Sequence, residues 1–269
     1  MPSLKSSAIA LAIVAVSSAN VNAAEPSDQA GPSADAWQFT VGLGAATQPR
    51  YPGSAERKSS GFPVLSATYG RYFIGGVPGA GVPAGIGAYL AQNDHWRVGV
   101  GLGGSFEKPR QETDSPRLRG LGDIDRTALG AVFASYSDSW WTLRGNLLTD
   151  VGGKQQGTRL SLGAEARYPV SDTITLSAGP SVTWADAKYT QTFFGVNAAQ
   201  SARSGLAVRT AKAGLNSVGF SVGANMRLSS NWGIGVFAST NRLRGDAAGS
   251  PVTEKVSQSQ AGMFAAYTF

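Results

Sequence analysis

Apolar and small polar residues alternate along most of the chain. In residues 96–106, Trp96, Val98, Val100 and Leu102 take alternate positions, and mostly arginine, glycine and serine stand between them. A period of two residues places successive side chains on opposite faces of an extended chain, so the pattern predicts β-strands and not helices. The same alternation returns in residues 37–46, 158–168, 173–186, 215–228, 232–244 and 257–269.

The length and the second face of these segments indicate a sheet that crosses a membrane. The segments run for 10–14 residues, whereas an ordinary strand has about five or six and a transmembrane strand needs about 9–11. One face is apolar, and the other carries glycine, serine and threonine with scattered arginine and glutamate. Such a face suits the narrow polar lumen of an antiparallel transmembrane β-barrel.

The connections between strands favour this barrel over a soluble β-sandwich, in which we expect uniformly short connections. Here short and long connections alternate, as the periplasmic turns and extracellular loops of an outer-membrane barrel do. The short ones are residues 92–95, 137–139, 169–172 and 229–231, and the long ones are residues 47–61, 107–124, 187–213 and 245–256.

The strand count depends on a region rich in glycine and proline. Eleven strands are evident in the sequence, and an even number is expected when both chain ends stay in the periplasm. We therefore divide the region into a strand at 62–68, a turn at 69–71, a short strand at 72–76 and a returning strand at 84–91. This division predicts an all-β antiparallel barrel of about twelve strands.

Aromatic residues mark the two membrane interfaces. Most lie where strands leave or return to the short turns, which predicts an aromatic girdle on that side. Trp96, Tyr168 and Trp232 share the parity of the apolar face, so we expect them to point to lipid. The first girdle contains Trp37, Trp96, Trp140, Trp232, Tyr136, Tyr168 and Tyr267, and Trp184 and Phe106 mark the opposite one.

The beginning of the chain carries an export signal. Residues 1–23 combine Lys5, an apolar run at 9–16 and a small-residue cleavage site, which together predict a secretory signal peptide. Residues 24–36 show no periodicity and predict a flexible periplasmic segment. The barrel is then expected to occupy residues 37–269.

The end of the chain resembles an assembly signal. A terminal Phe269, Tyr267 two residues before it and apolar residues at alternate positions look like the signal that the barrel-insertion machinery of bacteria reads. The last strand must also pair with the first, since closure removes both free edges of the sheet. These features predict a location in the bacterial outer membrane.

Composition removes several kinds of chemistry. The 269 residues include no cysteine and one histidine, which excludes a disulfide scaffold, a cysteine-based zinc site, a thiol nucleophile and a multi-histidine metal centre. We therefore predict no catalytic, metal-binding or cofactor-binding residue. His95 is the one candidate base for a serine lipid hydrolase, but it falls in a predicted periplasmic turn, where a solvated histidine is expected. The net charge of +6 does not indicate nucleic-acid binding behind a signal peptide.

Charged residues on the small polar face have two interpretations. A set of arginines around one carboxylate could form a charge-selective constriction that favours anions, or it could be a structural ion-pair network that plugs the lumen. The possible lumen charges are Arg97, Arg144, Arg159, Glu165, Arg167 and Arg227.

The long loops also have two interpretations. The mixed charges of residues 107–123, like Lys188, Arg203, Arg209 and Lys212 further on, are solvated or pair with lipopolysaccharide phosphates. Phe193 and Phe194 fold inward to cap the lumen, with Gly195 permitting a tight bend, or they form a partner site.

Three loop segments and the chain end resemble one known family. The residues that carry the resemblance are Tyr51, Gly53 and Ser54 after the first strand, Tyr189, Phe194, Gly195 and Val196 in the longest loop, and Asp246, Ser250 and Pro251 before the last strand. With the terminal Tyr-Thr-Phe, they make residues 37–269 resemble the MipA/OmpV family, the MltA-interacting protein family. The Gly/Pro-rich residues 75–85 depart from that pattern.

The resemblance implies a non-enzymatic outer-membrane protein. The family's namesake is described as a scaffold that joins a murein-cleaving lytic transglycosylase to a murein-synthesising penicillin-binding protein, and other members are treated as porin-like proteins, surface antigens or adhesins. Scaffolding depends on partner-facing surfaces and not on motif residues. The sequence thus leaves a scaffold and a small-solute channel with an Arg/Gly/Ser-lined lumen as alternatives.

Overall fold

The computed structural model describes residues 36–76, 81, 84–104 and 107–269. The predicted signal peptide (residues 1–23), almost all of the predicted flexible segment 24–36, and Phe106 of the predicted second girdle lie outside these described residues.

The described residues form one closed antiparallel barrel of twelve strands, in which each strand pairs with its chain neighbours and β1 pairs with β12. This confirms the predicted fold class and the division of residues 62–91. The strands are β1 (Trp37–Pro49), β2 (Arg57–Tyr69), β3 (Tyr72–Gly75), β4 (Ala84–Gln92), β5 (Trp96–Gly104), β6 (Ala128–Asp138), β7 (Trp141–Asp150), β8 (Thr158–Pro169), β9 (Ile174–Ala185), β10 (Gly214–Arg227), β11 (Trp232–Leu243) and β12 (Ser257–Thr268).

The chain end seals the barrel. Phe269 donates its main-chain N–H to the carbonyl of Phe39 at 2.9 Å, and Tyr267 stands opposite Val41 in the register of β1 and β12. The Tyr267 ring lies 5.3 Å from that of Trp232 and 4.8 Å from that of Phe269. The two residues of the predicted assembly signal therefore lie at the closing seam.

The outer wall is apolar, as the parity of the sequence predicts. Leu43 is 71% exposed and Tyr168 is 69% exposed, which a closed sheet tolerates when its outer face meets lipid. At the turn end, aromatic rings pair across strands, as Trp37 does with Tyr69 and Trp96 with Tyr136. Among the described residues, no helix is long and apolar enough to span a membrane.

The inner wall differs from the small polar face that the sequence predicts. Five phenylalanines point inward, and each ring lies against an inward-facing glycine of a neighbouring strand, where a Cβ would overlap the ring. Glycine is needed there to make room for the ring. The pairs are Phe62 on Gly44, Phe73 on Gly87, Phe133 on Gly99, Phe237 on Gly262 and Phe264 on Gly235.

Two predicted boundaries were wrong. The predicted loop 47–61 is shorter, because β1 and β2 continue as a regular ladder to the pair Pro49 and Arg57; polar residues on the outer face there hide the alternation. Trp140 lies in a tight turn with Ser139, whose φ is 24°, so β7 begins one residue later.

The long connections contain short helices. The β9–β10 loop holds α1 (Ala187–Phe194) and α2 (Ala198–Ser204), and the β11–β12 loop holds α3 (Gly245–Ala248). The β5–β6 loop contains two single-turn 3₁₀ helices, Glu112–Asp114 and Pro116–Leu118.

Candidate functional site in the loop cap and lumen

Loops from opposite sides of the barrel meet at its loop end. Around the ring of twelve strands, the β5–β6 and β11–β12 hairpins stand six strands apart. Yet Arg117 donates from Nε to the carbonyl of Pro251 at 2.9 Å, and the Ser115 hydroxyl donates to the Glu254 carboxylate at 3.4 Å. These contacts cross the mouth of the barrel. We call the described parts of the β1–β2, β5–β6, β7–β8, β9–β10 and β11–β12 loops the loop cap.

One apolar cluster of the loop cap joins four loops. Tyr51, Leu118, Leu121, Val196 and Val252 pack together, and each is at most 3% exposed. They come from the β1–β2, β5–β6, β9–β10 and β11–β12 loops. Burial of this kind supplies the main driving force for holding loops of distant hairpins together.

A second apolar cluster seats the loop cap on the strand ends. Phe193 and Phe194 of α1 pack with Ile124, Ala185 and Leu243. Ala185 and Leu243 end β9 and β11, so the two phenylalanines fold onto the barrel as the capping hypothesis predicts. Also in this cluster are Tyr189, whose ring stacks on that of Phe193 at 4.4 Å, and Ala247 of α3.

Local hydrogen bonds begin and end α1. Asp186 caps its start by accepting from the main-chain N–H of Tyr189, and Gly195 ends it with an N–H donated to the carbonyl of Gln191. The expected reason for Gly195 was wrong, because its φ of −81° is open to any residue. The glycine is needed because a Cβ there would overlap the side chain of Gln191.

Motif residues of the β11–β12 loop tie it to the β9–β10 loop. The Ser250 hydroxyl donates to the carbonyl of Phe194 at 2.5 Å. Asp246 accepts from the main-chain N–H of Lys212 at 2.7 Å and from Arg209 Nη2 at 2.6 Å. These donors hold the pKa of Asp246 below its usual value, with the Lys212 N–H as the larger cause.

The β1–β2 motif is positioned by glycine geometry. Gly53 has a φ of 99°, which only glycine adopts without strain. Its N–H donates to Gln258 Oε1 at 3.2 Å, and its carbonyl accepts from the main-chain N–H groups of Glu254 and Lys255 at 2.8 and 3.0 Å. The Ser54 hydroxyl donates to the carbonyl of Glu56 within the same loop.

The loop cap contains a buried charge that sequence reasoning missed. Arg110 is 2% exposed and donates from Nη1 to the carbonyl of Phe193 at 3.1 Å. Burial lowers the pKa of Arg110 and raises the pKa of nearby Tyr51 to about 12, with the Glu254 carboxylate adding to the second shift. The interpretation of the loop charges as solvated is therefore wrong for Arg110. Nothing in the sequence indicated this burial, because Arg110 stands among other charged residues of the loop.

Other charges of the β5–β6 loop pair within the loop cap. Lys108 Nζ lies 2.8 Å from Asp123 Oδ2 and 3.3 Å from Asp125 Oδ1. The hydrogen bond from Lys108 holds the pKa of Asp123 below its usual range. Arg203 of α2 donates to the carbonyl of Gly120 at 3.1 Å, which binds the β9–β10 loop to the β5–β6 loop.

The lumen carries part of the predicted charge cluster. Glu165 accepts from Arg144 Nη2 at 2.9 Å and from Arg167 Nε at 3.2 Å, and its side chain is 9% exposed. Arg167 also donates to the Thr142 hydroxyl at 3.0 Å. Arg97 lies in the same row as Arg144, since each pairs with Ser135.

The two remaining predicted lumen arginines make other contacts. The Arg159 guanidinium lies over the Tyr189 ring, 5.7 Å from its centroid, and so belongs to the loop cap. Arg227 donates to the carbonyl of Asp172 at 2.7 Å, at the turn end. Of the predicted lumen charges, only Arg97, Arg144, Glu165 and Arg167 therefore lie together, on the wall formed by β5–β8.

A family model for the MltA-interacting protein MipA matches residues 41–269. The chain belongs to the MipA family. The match covers eleven strands completely and most of β1. Together with the closed barrel and its apolar outer wall, membership shows an outer-membrane barrel protein, with turns in the periplasm and the loop cap outside.

Three solved structures illustrate what the fold of this MipA-family chain is similar to. The NanC porin is 8% identical, with a TM-score of 0.41 over 86% of this chain and 99% of its own. An outer membrane channel from Pseudomonas putida F1 is 15% identical, with a TM-score of 0.44 over 91% and 100%. The CymD monoaromatic hydrocarbon channel is 12% identical, with a TM-score of 0.41 over 86% and 87%. Among curated proteins, no relative matches the chain.

The single histidine of this MipA-family chain sits at the periplasmic end. His95 Nδ1 makes a hydrogen bond with the carbonyl of Ser137 at 2.9 Å, and its ring stacks on Tyr136 with centroids 5.6 Å apart. It lies in the short turn between β4 and β5, as the sequence predicts. Its contacts are those of a residue that packs two hairpins together.

Proposed function

We propose that this MipA-family barrel is a scaffold that holds murein-processing enzymes at the inner face of the outer membrane. The observation that carries the proposal is the family match over residues 41–269, whose description names an MltA-interacting protein. By the family resemblance, the partners are a lytic transglycosylase and a penicillin-binding protein. On this proposal the chain has no catalytic residue and needs no cofactor.

The geometry of the loops supports a partner face on the other side. The motif residues are engaged with one another inside the loop cap, so they are not offered to a partner. Murein enzymes approach from the periplasm, where the barrel presents its short turns. The exposed side chains of this face include Asp94, His95 and Trp140, of which Trp140 is 61% exposed.

Affinity capture from envelope extracts tests the scaffold. The purified barrel should enrich both enzymes, and a turn-face variant with Asp94→Ala, His95→Ala and Trp140→Ala should enrich less of them. Arg119→Ala, an exposed change in the loop cap, is the matched control and should capture as much as the wild type. Absence of both enzymes from the captured material would contradict the scaffold, while equal capture by the turn-face variant would contradict the assignment of the face.

The second candidate is an anion-favouring solute channel. The observation that favours it is the inward cluster of Arg144, Glu165 and Arg167, in which two guanidiniums meet one carboxylate. Arg97 lies in the same row, two strands from Arg144. A lumen with excess positive charge selects anions. Planar-bilayer recordings should show anion-selective steps, and silence over many insertions would contradict the channel.

The non-enzymatic role has its own test. If His95 acted as a base on lipid, His95→Ala would lower the turnover of labelled phospholipid in cells. We expect unchanged turnover, because the ring is engaged with Ser137 and Tyr136 at the periplasmic end. A fall in turnover at normal protein level would contradict the proposal.

A further inference from the structure

The described outer wall carries a polar region with two arginines at its loop end. On β2, β1, β12 and β11, the outward positions nearest the loops carry arginine, serine and threonine, with Pro49 at the end of β1 as the exception. On the rest of the ring, outward residues at this height include Leu102, Leu160 and Trp184, which are 37–49% exposed, and the uncharged pair Thr149 and Thr158. We call this region the outer polar patch; it consists of Thr47, Arg57, Ser59, Thr240, Arg242, Ser257 and Ser259.

Arg57 lies flat across the patch. From β2 it reaches over β1 to β12, donating from Nη1 to the carbonyl and hydroxyl oxygens of Ser259 at 2.7 and 2.9 Å. It also donates from Nε to the Thr47 hydroxyl at 3.3 Å and from Nη2 to the Thr47 carbonyl at 3.1 Å. Its partners are neutral oxygens, so the chain holds this guanidinium in place without neutralising its charge.

Arg242 brings a second guanidinium to the same place. Arg242 is exposed and pairs with Ser257 in the β11–β12 register. The next outward pair toward the membrane centre is Thr240 and Ser259. Arg242 is thus a diagonal neighbour of Ser259, at a distance that a long side chain spans. Within the described part of the chain, no hydrogen bond or ion pair engages its side chain.

The nearest carboxylates are used elsewhere. Glu56 pairs with Arg50 at 3.1 Å, and Glu254 accepts from the main-chain N–H of Ala55 at 3.0 Å and from Ser115. Two further cations, Arg244 and Lys255, are exposed just beyond the strand ends. The patch therefore keeps a net positive charge on the lipid-facing wall.

A charge on this wall is costly at the bilayer midplane and nearly free at the interface, so the patch must lie at the level of the outer-leaflet headgroups. Guanidiniums bind phosphate with forked, charge-assisted hydrogen bonds, and hydroxyls add further donors. The outer leaflet supplies phosphate as the headgroup of lipid A. We propose that Arg57 and Arg242 form a binding site for a lipid A phosphate of lipopolysaccharide.

The site differs from the loop charges that the sequence suggested for lipopolysaccharide. In the described structure Lys108, Arg203 and Arg209 are engaged inside the loop cap. Arg57 and Arg242 instead lie on strands, at positions fixed by the ladder. The sheet, and not the loop cap, therefore sets the main-chain positions of both arginines.

Lipid A titrations of the purified full-length barrel test the site. Native mass spectrometry in detergent should show bisphosphorylated lipid A bound to the wild type, with affinity about tenfold lower in Arg242→Gln, since one charge-assisted contact is lost. Arg57→Gln/Arg242→Gln should bind more weakly still, and Arg242→Lys should keep part of the affinity. Arg71→Gln, an exposed arginine at the periplasmic end, is the matched control and should bind like the wild type.

Three outcomes would overturn the proposal. Equal binding of dephosphorylated lipid A would show that phosphate is not recognised, and displacement by inorganic phosphate would show that free phosphate is the ligand. A change of Arg242→Gln from oligomer to monomer with unchanged lipid A affinity would make the patch a protein interface. Since no hydrogen bond or ion pair engages the Arg242 side chain within the described residues, Arg242→Gln without lipid should melt at the wild-type temperature. Weaker binding then does not come from unfolding.

Discussion

Arg117 donates a hydrogen bond from Nε to the carbonyl of Pro251 at 2.9 Å, although the two residues belong to hairpins on opposite sides of the barrel. The contact joins the β5–β6 loop to the β11–β12 loop across the mouth. Around it, Leu118 and Val252, both fully buried, pack in one cluster. The loop cap is thus a small folded unit with its own apolar interior, held on the end of the sheet.

Phe194→Ala should loosen the loop cap and spare the barrel. The side chain is fully buried between α1 and the strand ends, and a Phe→Ala change at such a site costs about 3–5 kcal/mol. Trypsin should then cut the β9–β10 loop, at Arg203 or Lys212, faster than in the wild type. The matched control is Val208→Ala in the same loop, where the side chain is 59% exposed. Equal cutting of both variants would contradict a packed loop cap.

Acid should weaken the loop cap through Asp246. Its folded-state pKa lies below the ordinary 3.8 because Lys212 N–H and Arg209 stabilise the carboxylate. A lowered folded pKa means that this stabilisation is present at pH values above 3.8 and is lost as the pH falls through the lower folded value. Pepsin cleavage of the loops should rise steeply as the pH falls below about 4.

Asp246→Asn checks the origin of that pH dependence. The variant should be cut more readily than the wild type at pH values above 4 and should show a shallower rise below about pH 4. Asp94→Asn, in a periplasmic turn, should keep the wild-type profile. A wild-type profile in Asp246→Asn would place the acid sensitivity elsewhere, for example at Asp123, whose pKa is also lowered.

The period of two made the barrel predictable. Once one face of a segment is apolar, a shift of one residue would turn that face inward, so parity alone fixes which side chains meet lipid. The short β3 could be placed because an even strand number demanded it. Inward phenylalanines were not foreseen, because the match between Phe62 and Gly44 depends on which strands are neighbours and on their register.

The loop cap was only partly predictable. The motif residues Tyr51, Val196 and Ser250 were recognised, but their sequence positions carry no information that they meet across the mouth. Burial of Arg110 depends on the clusters around it, and periodicity says nothing about such loops. A shared site for Arg57 and Arg242 could not be predicted, because arginines near strand ends look like ordinary loop charges in the sequence.

Gly44→Ala should overpack the inner wall. Gly44 faces Phe62 directly in the register of β1 and β2, and an added Cβ would overlap the ring. Overpacking of this kind costs about 1–3 kcal/mol, which urea unfolding in liposomes would measure. Gly61→Ala is the matched control, since its nearest atom would lie 3.6 Å away. Phe62→Leu should rescue Gly44→Ala in part, since the main-chain oxygen of Met263 would still lie 2.8 Å from the added Cβ. Additive losses in the double variant would contradict ring-on-glycine packing.

Removal of Phe269 should separate assembly from stability. Its ring is 70% exposed and its deletion removes one main-chain hydrogen bond at the seam, so the unfolding midpoint of the refolded barrel should fall only slightly. In cells, the deletion should strongly reduce the folded, faster-migrating gel form if Phe269 is part of the predicted signal for the insertion machinery. Leu43→Ala, also exposed on β1, should insert normally. A large loss of in-vitro stability would assign Phe269 a structural role instead.

Glu165→Gln should destabilise the barrel from within. The carboxylate is 9% exposed and lies 2.9 Å from Arg144 Nη2 and 3.2 Å from Arg167 Nε, so the variant leaves two guanidiniums facing each other without their shared anion. Breaking a buried pair in this way costs about 3 kcal/mol. Glu56→Gln is the matched control, because its pair with Arg50 is 40–52% exposed and such pairs contribute at most about 1 kcal/mol. If the barrel conducts, Glu165→Gln should also increase anion selectivity. Equal urea midpoints for both variants would show that the cluster is solvated and contributes little to the stability of the fold.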